Sequence, residues 1–88
     1  MTHTHHPQLT PGFRLQWEPA QNAHVLLYPE GMIKLNASAG EILRRCDGTR
    51  SCIDIVNELE RAFNKQDLTN DVAAFITIAT NNGWLRTT

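Results

Sequence analysis

The chain has no charge of one sign to spare. Eight Lys and Arg stand against nine Asp and Glu, a formal net charge of −1 over 88 residues. Such a balance gives no long-range attraction to phosphate backbones or anionic lipid. There is no run of about 18 apolar residues, so no segment reads as a spanning helix. The start, Met1 to His6, lacks the apolar core of a secretory signal, and a cytoplasmic protein is expected. Cysteine is scarce: Cys46 and Cys52 are the only two, without the Cys-x-x-Cys spacing of a structural zinc site. In that compartment they read as free thiols acting as small hydrophobes on helix faces. His3, His5, His6 and His24 have no companions at ligand spacing, so neither a metal nor a cofactor is expected. Catalytic groups are missing as well. Asp54 has a capping explanation, Glu30 sits in a turn, and Glu58 and Glu60 share one helix region without converging on a nucleophile or base. No catalytic residue is assigned, and an enzyme is not expected.

What the chain does have is strand and helix patterning over one domain's length. Residues 1–12 are polar, carry Pro7 and Pro11, and read as a flexible tail before a single domain over 13–88. Phe13-Arg14-Leu15-Gln16-Trp17 alternates apolar and polar, the mark of a strand with one buried face. His24 to Tyr28 and Met32 to Leu35 flank Pro29-Glu30-Gly31, a turn in which Pro presets φ and Gly relieves it. Three helices follow. The first is capped by Ser38 or Asn36, carries the stripe Ala39, Ile42, Leu43 and Cys46, and stops at Asp47-Gly48; Gly40 within it predicts a close approach. The second starts at Ser51 with Asp54 at its third position and runs through Cys52, Ile55, Val56, Leu59 and Phe63 to about Asn64. The third runs from Thr69 as cap to Asn82, with Gly83 as its stop. Trp84-Leu85-Arg86 is expected to fold back over the sheet or helices. The fold class is therefore α+β, winged helix-turn-helix-like: a three-stranded antiparallel β-meander followed by a three-helix bundle.

Winged helices commonly bind DNA, and a nucleic-acid-binding or regulatory protein is the alternative reading. The third helix argues against it, since Thr69 to Asn82 contains no Lys or Arg and holds Asp71 in its first turn. That helix is apolar over a wide arc instead. Val72, Ala74, Phe75, Ile76, Ile78 and Ala79 cover about 200° at ~100° per residue, nearly twice the width one buried face needs. The third strand of the meander would be a sheet edge. An extended peptide can add to Met32, Ile33, Lys34 and Leu35 by main-chain hydrogen bonds, its alternate side chains entering a groove against Val72, Phe75, Ile76 and Ala79. Most of Phe75 and Val72 is expected to be core, with the peptide seeing the flank of the stripe. On this reading Ile33 supplies an outward edge donor, and Lys34 can pair with an acid of the peptide. The same open edge is a route to a homodimer.

From Phe13 to Leu85 the chain resembles the PqqD family of pyrroloquinoline quinone biosynthesis. The resemblance rests on Leu27-Tyr28-Pro29-Glu30-Gly31, Leu35-Asn36, Glu41-Ile42-Leu43, Cys46-Asp47-Gly48, Ile55-Val56 with Leu59, Asp71-Val72 with Phe75, and Gly83-Trp84-Leu85. It implies a peptide chaperone of the RiPP recognition element type. Such a protein binds the ribosomal precursor peptide PqqA and presents it to the radical S-adenosylmethionine enzyme PqqE. The family's leader-binding site, between third strand and third helix, falls on Gly31 to Leu35 and the 71–79 stretch, which adds Gly31 and Asp71 to the expected set. The iron–sulfur and S-adenosylmethionine chemistry would belong to the partner enzyme.

Overall fold

A computed structural model describes residues 5–87 of the chain. Its elements are β1 (Pro7–Leu9), β2 (Arg14–Glu18), β3 (Ala23–Tyr28), β4 (Gly31–Lys34), α1 (Ala37–Leu43), α2 (Cys52–Phe63), α3 (Thr69–Asn81) and β5 (Leu85–Thr87). The expected meander is present as an antiparallel sheet in the order β2-β3-β4. Its middle strand is the most buried: Val25 and Leu26 are both fully covered. Leu26 faces the helices and joins Ile42, Leu43, Ile55, Val72 and Ile76 in one core.

Two strands go beyond the expected meander. Residues 7–9, read from the sequence as part of a flexible tail to residue 12, form β1 and pair antiparallel with β5, Leu9 opposite Leu85. Pro7 is fully buried, and its carbonyl accepts from Gly48 N–H at 3.1 Å. Residues 1–4 of that tail lie outside the described residues. The pairing also explains why α1 stops early. The sequence placed its end at Asp47-Gly48, but i→i+3 hydrogen bonds from Arg45 and Cys46 tighten the chain after Leu43. Asp47 and Gly48 are then free to bridge β1, and a Cβ on Gly48 would meet the Gln8 side chain at 2.7 Å.

The local signals come out as follows. Asn36, not Ser38, caps α1 by accepting from Ala39 N–H at 2.7 Å. Ser51 and Asp54 form a reciprocal capping box at the start of α2. Asn64 closes α2 in the left-handed conformation, φ 52°. The cap of α3 is Leu68 rather than Thr69; leucine has no side-chain acceptor to offer the helix, and its own N–H is held by Glu60 Oε2 at 3.1 Å. Gly40 is where α1 crosses the sheet: a Cβ there would stand 2.6 Å from His24 Nδ1, the close approach its position in the helix predicts. No helix among the described residues is long and apolar enough to cross a membrane.

Candidate functional site

The site begins with a two-residue turn. Tyr28 pairs with Gly31 across Pro29 and Glu30, and this fixes the register of β4 on β3. Leu35 N–H donates to His24 carbonyl at 3.0 Å, so residues 24 and 35 form a hydrogen-bonded pair. Such pairs alternate along an antiparallel ladder, and the next is Leu26 with Ile33. Ile33 therefore spends its N–H and carbonyl inward on β3. The expectation that it supplies the outer edge is corrected: the outward-facing main-chain groups belong to Met32 and Lys34. No strand among the described residues pairs with that side of β4.

Burial divides the ten residues expected to contact a peptide. On β4, Gly31 and Lys34 are exposed, Met32 is 55% exposed and Ile33 is half-buried against the core. Leu35 is buried. On α3, Asp71 is exposed and Phe75 is half-buried, whereas Val72, Ile76 and Ala79 are at most 2% exposed. Leu35, Val72, Ile76 and Ala79 are thus core, since they occupy the inward faces of their elements and pack on Leu26 and its neighbours. They support the surface from behind. The sequence set also omits Ile78, which is 55% exposed and falls one turn beyond Ala74 and Phe75 on the flank that starts at Asp71. That exposed flank is where the excess width of the apolar arc goes.

A cavity of about 360 Å³ adjoins this region. Ala37, Ser38, Glu41 and Ile42 of α1, Leu59 and Phe63 of α2, Lys65 and Leu68 of the following loop, and Asp71 line it. Phe63, read from sequence as the last residue of a buried stripe, is 47% exposed. Its place at the last turn of α2 is the only hint the sequence holds of that. Lys34 makes no ion pair among the described residues.

At the other end of α1 the polar groups are spent on one another. Arg45 is nearly buried and donates to the Glu41 carboxylate and carbonyl at 2.8 and 2.9 Å and to Glu58 at 3.2 Å. Arg50 joins Glu58 to Asp47. The hydrogen bond from Arg50 chiefly holds the Glu58 carboxyl below its ordinary range, and that from Arg45 does the same for Glu41. The Cys46 thiol donates to Ile42 carbonyl at 3.2 Å, and burial pushes its pKa up to about 12. A thiol so held is a packed group and not a nucleophile at neutral pH. No group of three metal-ligating side chains occurs among the described residues. What this geometry can do chemically is bind: a row of main-chain groups on β4 that no described strand takes up, exposed apolar side chains at Met32 and Ile78, and a hollow lined from α1, α2 and the start of α3.

The sequence profile of the family described as Coenzyme PQQ synthesis protein D (PqqD) matches residues 23–85. A PqqA binding protein of Azotobacter vinelandii is 54% identical over 80 residues, covering 90% of this chain and 87% of that one. One from Methylococcus capsulatus is 47% identical over 79 residues, covering 90% and 85%. Among solved structures, the PqqD truncation of Methylobacterium extorquens PqqCD, a stand-alone RiPP recognition element, superposes with a TM-score of 0.72 at 26% identity. That match covers 91% of this chain and 87% of the other.

Proposed function

The chain belongs to the PqqD family, and from that membership and the open edge of β4 we propose that it is a peptide chaperone of pyrroloquinoline quinone biosynthesis. Its ligand is the ribosomal precursor peptide PqqA, which it presents to the radical S-adenosylmethionine enzyme PqqE. The observation that carries the reading is the one-sided pairing of β4, whose outward groups at Met32 and Lys34 match the needs of an added strand. The contact set is Gly31, Met32, Ile33 and Lys34 on the strand, with Asp71, Phe75 and Ile78 on the flank of α3. Leu35, Val72, Ile76 and Ala79 hold these in place. The protein itself makes and breaks no bond. By holding the peptide while docked on the enzyme it turns the encounter into an intramolecular one and raises the effective concentration. Docking of a second copy on the same edge would compete with the peptide, so dimer and peptide complex are mutually exclusive on this reading.

Titrating labelled PqqA peptide and labelled duplex DNA separately into the full chain tests the proposal. Saturable binding of the peptide, with Met32 and Lys34 amides shifted in NMR spectra, is expected; saturable binding of DNA alone would overturn it in favour of a degenerate winged-helix regulator. Met32→Pro removes one outward donor where an edge strand tolerates proline. One such hydrogen bond contributes about 0.5–1.5 kcal/mol, so affinity should fall roughly three- to tenfold with the fold intact. Met32→Ala separates the loss of the donor from the loss of the side chain.

A further inference from the structure

The cavity beyond β4 is not used by strand addition alone. Its floor is apolar, formed by Ile42, Leu59 and Leu68, and the half-exposed Phe63 ring makes one wall. The charges on its rim leave no net demand. Glu41 is taken up by Arg44 and Arg45, and Lys65 and Asp71 oppose each other in sign. A neutral apolar guest fits such a lining, while a charged one would be stranded over it. The walls are also held without a guest. The Glu60 carboxylate accepts from the Leu68 N–H at 3.1 Å, and the Lys65 N–H donates to the Glu60 carbonyl at 3.0 Å, so both ends of the loop between α2 and α3 are tied to α2. A preformed hollow of this kind lowers the ordering cost of binding.

Position decides which guest. Ala37 and Ser38, small and exposed, form the mouth and follow Lys34 by three and four residues. An extended guest continuing the antiparallel order along β4 passes Lys34 with its N-terminal side, the end of the strand from which the chain runs on to Ala37 and Ser38 at the start of α1. We propose that this cavity is an anchor for one apolar side chain of the guest peptide, of the Leu, Ile or Phe class, N-terminal to the segment paired with β4. The proposal rests on the peptide-binding reading above and adds to it a side-chain selector, where strand addition by itself is tolerant of sequence.

The test uses the full chain, isotopically labelled, and synthetic PqqA peptide. Binding should shift the Phe63 ring and the Ile42 and Leu68 methyls together with the Met32 and Lys34 amides. Phe63→Ala, at a half-exposed position, should weaken binding about tenfold. Ser38→Trp, which fills the mouth from an exposed position, should do the same and guards against an effect of Phe63 on folding. Alanine at the anchoring residue of the peptide should cost as much, with no further loss when combined with Phe63→Ala. If the β4 amides shift while Phe63 stays silent and both variants bind normally, the anchor is wrong and strand addition stands. Absence of any peptide binding overturns both.

Discussion

At the end of α1 where the chain turns toward α2, Arg45 is 9% exposed between two carboxylates, and β1 and β5 close over the turn through Gln8, Asp47 and Gly48. At the opposite end Ala37 and Ser38 face solvent beside Phe63, and Met32 and Lys34 present main-chain groups that nothing in the described chain takes up. One helix of seven residues thus separates a closed end from an open one. The two outer edges of the sheet differ in the same sense. The β2 edge carries Arg14, Gln16 and Glu18, the last two joined by a 2.6 Å hydrogen bond, while β4 offers a single charge, Lys34. Charged edges resist pairing with another chain, and β4 is the less protected of the two. Polar groups satisfy one another at the closed end and are left over at the open one.

The comparison breaks if the closed end turns out to affect binding. Arg45→Ala leaves Glu41 and Glu58 without their shared guanidinium in a partly covered site. Removing one partner of a fully buried pair costs about 3–5 kcal/mol, and because both carboxylates here are about one-third exposed we expect about 2 kcal/mol. Urea unfolding should show that loss in its midpoint, with the affinity for PqqA peptide of the folded fraction unchanged. A large loss of affinity at unchanged stability would mean that the arginine end is itself a contact surface.

Gly40→Ala probes the joint between the two ends. Alanine gains roughly 1 kcal/mol in helix propensity. Its Cβ, however, would stand 2.6 Å from His24 Nδ1 and 3.1 Å from His24 Cβ, and overpacking of this kind costs about 1–3 kcal/mol. The net expectation is a destabilisation of about 1 kcal/mol, with the indole of Trp17, which sits edge-on to the His24 ring at 5.0 Å, reporting the displacement in its fluorescence. A variant more stable than the parent would show that the ring moves aside freely and that α1 is not pinned to the sheet there.

Which parts of this arrangement were legible in the sequence follows the range of the interaction behind each. The turn between Tyr28 and Gly31, the Ser51–Asp54 capping box and the tight contact at Gly40 all depend on residues within a few positions or on a single missing Cβ. These appear in the structure as the sequence predicts. The pairing of β1 with β5 joins three-residue segments at opposite ends of the chain, and neither segment is long enough to show a period. The outward donors of β4 were misassigned for a similar reason. Periodicity says which residues share a face, but only the register on β3 says whether Ile33 or its neighbours point to the edge. On α3 the width of the apolar arc correctly announced an uncovered flank. It does not say which side is covered: Val72 is core as expected, but Ile76 and Ala79 stand in the expected contact set although they are buried, and Ile78 does not although it is exposed. The ion-pair chain from Glu41 to Asp47 spans α1, the following turn and α2, and composition alone gave no reason to join them.

The smallest effect expected is electrostatic and belongs to the closed end alone. Glu41 and Glu58 are held below the ordinary carboxylate range chiefly by hydrogen bonds from Arg45 and Arg50, and Asp47 by Thr49. A carboxyl group with a lower pKa folded than unfolded binds fewer protons in the native state. The stability it contributes is complete above its unfolded value near 4.5 and is lost as pH falls through the depressed folded value. The midpoint of urea unfolding should therefore stay nearly level from about pH 7 to about pH 5 and decline below that. Glu58→Gln should lower the plateau slightly and make the decline shallower, because one of the four depressed carboxyls no longer titrates. An identical slope in the variant would show that Glu58 carries none of the acid sensitivity and would leave it to the other depressed carboxyls, Glu41, Asp47 and the capping-box Asp54, which the Ser51 N–H lowers.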